Sequence, residues 1–159
     1  MTRDLPLIPL TEAAFAPFGT LVEYSRHEHR RVLVRELQNS QPDARANLDF
    51  ATVAMQTLPV TATVMERHLF SSQSFVPIDV ARYLVVVAPD DPAAGGPDMA
   101  HARVFAAGGR QSVTYRAGVW HHPLTALDRE GIFAIVSFRA GTAADQEFVS
   151  LPEPLRLGV

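Results

Sequence analysis

Apolar residues along this chain come in short runs that alternate with polar ones at period two, and stretches rich in proline and glycine separate the runs. Residues 48–55, 61–68, 82–88 and 132–138 each read as a strand, with β-branched and aromatic side chains on one face and smaller or polar ones on the other. Helical signal is confined to residues 11–15, where Thr11 is placed to act as N-cap, and to a second short stretch near 31–37. Residues 89–98 carry three prolines and two glycines, cannot continue a ladder, and read as a mobile surface loop. Residues 151–155, Leu-Pro-Glu-Pro-Leu, read as extended chain laid against the body of the protein or against a partner subunit. Many short strands with turn signals between them, and no internal repeat, predict a single all-β domain over 1–159. Its expected form is a sandwich or jelly-roll barrel with one or two short peripheral helices.

Composition narrows the chemistry. Hydrophobic residues make up 47% and charged residues 19%, as expected of a chain with a packed core rather than a disordered one. There is no cysteine, which removes disulfides, thiolate metal ligands and cysteine nucleophiles together. All 14 basic residues are arginine, so a lysine Schiff base is also excluded. Those arginines are scattered and the net charge is −3, which argues against a nucleic-acid partner. No apolar run reaches the ~20 residues of a membrane helix, and the first residues lack the apolar core of a signal peptide, so a cytoplasmic protein with no membrane partner is expected.

What remains for catalysis is His, Asp, Glu, Arg, Tyr and hydroxyls. On an extended strand Glu66 and His68 share a face and Arg67 takes the other, which brings a carboxylate and an imidazole together. Further on, His121 and His122 are adjacent, so at most one of them faces a common pocket unless a bulge intervenes. Trp120 reads as packing more readily than as a ligand platform. Arg82 opens an apolar strand with Leu84, Val86 and Ala88 on its face, either as a buried carboxylate anchor or as an edge charge. Asp79 and Asp128 read as turn residues, and His27, His29 and His101 as solvated or structural.

The spacing Glu66-x-His68-x-x-x-x-Gln73, followed by Gly118-x-x-His121, resembles the two halves of the cupin metal site, with Glu in place of the first His and Gln in place of Glu. Glu66, His68, Gln73 and His121 are thus candidate ligands for a divalent metal such as Ni, Zn or Mn. Without a metal the same groups suit general acid–base work, with Glu66, His68 and His121 as the catalytic candidates.

Longer strings extend the resemblance. Glu66-Arg-His68, Ser72-Gln-Ser-Phe-Val-Pro77, Leu84-Val-Val-Val-Ala88, Val113-Thr-Tyr115 and Gly118-Val-Trp-His-His-Pro-Leu124 are similar to the ureidoglycolate lyases of allantoin degradation. So is the opening Leu5-Pro-Leu followed by Leu10-Thr-Glu-Ala-Ala-Phe-Ala-Pro-Phe-Gly19. The resemblance implies a cupin-type barrel, a homodimer, a small carboxylate substrate, and cleavage of ureidoglycolate to glyoxylate and urea. Gln73, Arg82, Tyr115, Trp120 and His122 are then the candidates to line the substrate pocket. Where members of that family carry an arginine in the strand before Glu66, this chain has Thr52, and their late Asp-Arg pair is Phe138-Arg139. Arg82 or Arg139 is the expected carboxylate anchor. A non-catalytic cupin binding a small carboxylate or ureido ligand, and a metal-dependent cupin enzyme of other chemistry, are the alternatives.

Overall fold

The strand Arg82–Ala88 shows why the chain must wrap around itself, since every residue after Arg82 is buried and both of its faces therefore need cover. In this computed structural model, which describes residues 2–27, 30–33 and 35–159, the cover comes from two directions. Tyr83, Val85 and Val87 pack against Phe75, Val113, Tyr115 and Phe133 in the interior between two sheets. Leu84, Val86 and Ala88 pack with Met65, Trp120, Leu155 and Leu157 in a second cluster on the far side of the same strand. Each large apolar side chain so buried contributes roughly 1.5–3 kcal/mol, which makes this strand the structural centre of the molecule.

An eight-stranded sheet runs in the order Arg3–Leu5, Glu147–Leu157, Val60–Arg67, Trp120–His121, Arg82–Ala88, Arg103–Gly108 and Leu7–Pro9, with Thr125–Leu127 also paired to Arg82–Ala88. Facing it is a five-stranded sheet ordered Gly19–Glu23, Gln111–Tyr115, Gln73–Asp79, Gly131–Arg139 and Arg45–Val53. This is the all-β jelly-roll barrel of the cupin type. No helix among the described residues is long and apolar enough to cross a membrane.

The predicted strands are present with their ends moved by a few residues, and 82–88 has the expected bounds. The helix Glu12–Phe15 forms under Thr11, whose side chain accepts from the Ala14 amide. The second expected helix does not form: residues 31–33 and 35–37 are irregular or turn, and Val34 lies outside the described residues, as does His29. The expected mobile loop at 89–98 is likewise corrected. It holds a two-stranded ladder, Asp90–Asp91 with Gly96–Pro97, and Asp90 ties it to the barrel through Arg67 and Trp120.

One break in alternation matters for function. Val60, Ala62 and Met65 all face the second cluster, so the side-chain parity of the strand reverses between Ala62 and Met65. The reversal lies where pairing with Glu147–Leu157 shifts register between Ser150 and Leu155. Pro152 and Pro154 sit in that gap and have no amide hydrogen to give a ladder. With strict alternation Glu66 would share the face of Val60 and Ala62; after the reversal it points into the barrel and Arg67 points out.

Candidate active site

Glu66 and His121 stand opposite each other across the pair Val60–Arg67 and Trp120–His121. His68 follows at the end of the same strand. One ligand atom from each of Glu66, His68 and His121 falls within 4.8 Å of the others, and all three residues are buried. Gln73 comes from the opposite sheet and places its Oε1 2.9 Å from His121 Nε2. Both sheets therefore contribute to one cluster inside the barrel.

The backbone sets the state of each imidazole. His68 Nδ1 donates to the Asp145 carbonyl at 2.9 Å, and His121 Nδ1 donates to the Val119 carbonyl at 2.9 Å. A carbonyl can only accept, so both Nδ1 atoms carry hydrogen and the Nε2 atoms are left for chemistry. His68 Nε2 is buried and has no hydrogen-bond partner. His121 Nε2 faces Gln73 Oε1 and, at 3.4 Å, Glu66 Oε1. A nitrogen held against Glu66 and the Gln73 amide can share a proton with the carboxylate or, with Glu66, serve as a ligand of a cation. Tyr115 stacks flat on the His121 ring, with centroids 4.2 Å apart and planes 7° from parallel.

Burial pushes the Glu66 carboxyl up, but hydrogen bonding and charge from His121, the charge of His68 and the Gln146 amide together hold it below its ordinary 4.5. Burial is also the largest influence on His68 and keeps it below 6.5, against the opposing pull of the Asp145 carbonyl. The site thus favours a charged carboxylate beside a neutral His68. Two imidazole nitrogens, one of them orphaned, and a carboxylate form a donor set suited to Zn, Ni or Mn, and the carbonyl-bound Nδ1 atoms fix the rings as metal-binding histidines are usually fixed.

A cleft of 300 Å³ opens beside His68 and is lined by Arg139, Thr142, Asp145, Gln146 and Phe148. Sequence reasoning missed Asp145 and Gln146. The Asp145 carboxylate accepts from the amides of Ala140, Gly141 and Thr142, while Gln146 Nε2 donates to Glu66 Oε2. The visible signal was Thr142-x-x-Asp145, a capping-box spacing that forms here around the turn Ala143–Asp145.

Other candidates are placed elsewhere. Arg82 is half exposed at the far end of its strand, on the face of the second cluster, and makes a two-point ion pair with Asp128. It does not join the cluster, because even-numbered positions of that strand face away from the barrel interior. His122 is engaged through Nδ1 with the Pro123 carbonyl and the Thr125 hydroxyl and is not part of the triad. Trp120 is fully buried in the second cluster, with its indole N–H donated to Asp90.

Behind the site, Arg67 lies over the Trp120 ring at 4.3 Å and bonds both Glu147 and Asp90. This clamp occupies the position between Glu66 and His68 and the one before His121. The Arg67 side chain is only 14% exposed, but its acidic partners are nearly half exposed, so alanine at this position should lower stability by about 2 kcal/mol rather than the larger loss of a fully buried pair. A melting curve of Arg67→Ala checks this; an unchanged midpoint would remove the clamp.

A family model described as ureidoglycolate lyase matches residues 2–158. The chain belongs to the ureidoglycolate lyase family. It is 37% identical over 165 residues to the ureidoglycolate lyase of Azotobacter vinelandii, with 98% of each chain covered. It is 38% identical over 148 residues to that of Brucella anthropi, covering 87% of this chain and 85% of the relative. With that of Pseudomonas syringae pv. tomato the identity is 35% over 149 residues, covering 88% and 85%.

The two departures from the family pattern can now be placed. Thr52 pairs with Ile132 and Phe138 with Ala46, and these even-numbered positions lie on the outer face of the five-stranded sheet. Interior positions of the same strands are the odd ones, Phe133 and Val53 among them. Neither Thr52 nor Phe138 lines the cleft, whereas Arg139 does.

Proposed function

We propose that the protein is a ureidoglycolate lyase that releases glyoxylate and urea from ureidoglycolate in allantoin breakdown. The observation that carries this reading, in a chain of this family, is the buried Glu66–His68–His121 cluster with an orphaned Nε2 beside a cleft lined by Arg139. Arg139 binds the substrate carboxylate; Asp49, 3.4 Å from its guanidinium, steadies it. Gln73 holds a polar group of the substrate against the His121 side, and Tyr115 keeps the His121 ring flat against the barrel wall.

Ureidoglycolate is a carbinolamine derivative. Loss of its hydroxyl proton turns the C–O bond into a carbonyl while the C–N bond breaks with its electron pair on nitrogen, and the leaving urea nitrogen takes up a proton. His68 Nε2, neutral and unpartnered, is positioned to accept the first proton. His121 Nε2, facing the Glu66 carboxylate, is positioned to hold and deliver the second. Glu66, His68 and His121 are also the residues that would hold a divalent ion, with Gln73 beside them. Such an ion supplies positive charge that stabilises the oxygen anion left when the hydroxyl proton departs.

The protein is further read as a cytoplasmic homodimer. The homodimer is supported by the outer face of the five-stranded sheet, where Leu48 and Phe50 are 59% and 68% exposed beside Ile132.

Purified protein given racemic ureidoglycolate, with spontaneous decay subtracted, is expected to release glyoxylate and urea in equal amounts. Loss of turnover on chelation and its return with Ni, Zn or Mn would assign the ion a role, and unchanged turnover would leave the protons to the two imidazoles. No release above background with any metal would overturn the lyase reading.

A further inference from the structure

Two buried side-chain atoms among the described residues lack a hydrogen-bond partner: His68 Nε2, already in the site, and Ser137 Oγ. Ser137 is 1% exposed. It sits on Gly131–Arg139 directly opposite Gln73 of the neighbouring antiparallel strand. Residues opposed in this way share a face and hold their Cβ atoms about 5 Å apart. Gln73 reaches His121 from that face. Two residues beyond Ser137, and so on the same face, Arg139 lines the cleft with His68. Ser137 therefore lies between the guanidinium at the mouth and the Gln73–His121 pair deeper in the barrel. A buried hydroxyl with nothing to bond to costs about 1–3 kcal/mol, and small apolar residues fit a strand interior without that cost.

We propose that Ser137 is a substrate-binding hydroxyl, whose Oγ hydrogen-bonds the hydroxyl or aldehyde oxygen next to the carboxylate held by Arg139. A carboxylate and an oxygen on the adjacent carbon are the shared chemistry of ureidoglycolate and glyoxylate, so both bind through Ser137. The assignment rests on the lyase reading.

The test is Ser137→Ala, assayed for KM and kcat with ureidoglycolate and for the melting temperature with and without glyoxylate. A hydroxyl without a partner in the free protein makes no stabilising bond to lose. The variant should therefore melt at or above the wild-type temperature, while its KM rises about tenfold and the glyoxylate-induced shift shrinks. Ser137→Cys, of nearly the same shape but a weak donor, should fall between the two. A variant that melts lower than wild type would mean that the hydroxyl is bonded within the protein, and unchanged KM and glyoxylate shift would mean that it does not touch substrate; either overturns the proposal. Wild-type protein that neither turns over ureidoglycolate nor responds to glyoxylate would instead sink the lyase reading, and the Ser137 assignment with it.

Discussion

Alanine in place of His121 is expected to reduce glyoxylate release by about 10³-fold or more while the protein stays folded. His121 is where the site's interactions meet. Its Nε2 faces Glu66 and Gln73, its Nδ1 is fixed on Val119, and Tyr115 and Phe75 enclose the ring. On the proposed mechanism, removing the imidazole takes away the proton donor for the leaving nitrogen and one of the three atoms that could hold a cation. Glu66 loses the hydrogen bond that most opposes its burial, so its carboxyl rises toward the protonated form. Initial rates of His121→Ala, with circular dichroism to confirm the fold, give the comparison. Turnover within tenfold of wild type would place the chemistry elsewhere.

Glu66→Gln should lower kcat by about 10²-fold and should also weaken retention of divalent metal. The substitution keeps the shape of the side chain and removes only its charge. In the wild-type site that charge faces His121, whose hydrogen bond does most to keep it ionised despite burial. A neutral amide can neither stabilise an imidazolium at His121 nor balance a cation. Metal content by mass spectrometry, measured beside kcat, separates the two roles: a fall in kcat with metal content unchanged would make Glu66 an orienting group, and no change in either would exclude it from the site.

Both substitutions fall on residues legible in the sequence: Glu66 and His68 share a face of a strand the periodicity marks, and Gln73 and His121 follow from the spacing that resembles the two cupin halves. The direction each side chain faces was less legible. Arg82–Ala88 is buried on both faces, so alternation alone does not say which face is the barrel interior; of the two readings of Arg82, carboxylate anchor or edge charge, the structure shows the edge charge. The parity reversal between Ala62 and Met65 depends on Pro152 and Pro154 in a strand far along the chain, which no local window contains. Asp145 and Gln146 meet the site through one carbonyl and one amide, and Ser137 stands out only by lacking a partner; the spacing Thr142-x-x-Asp145 marks a turn but none of these contacts.

The clamp behind the site has one more property. The chain contains a single tryptophan, and it is the residue before His121, out of contact with water, with a guanidinium over its ring and its N–H on Asp90. Every photon the protein emits as indole fluorescence therefore originates at the back wall of the reaction cavity. The molecule carries an intrinsic optical reporter for events at His121, with no label to attach and no second indole to subtract.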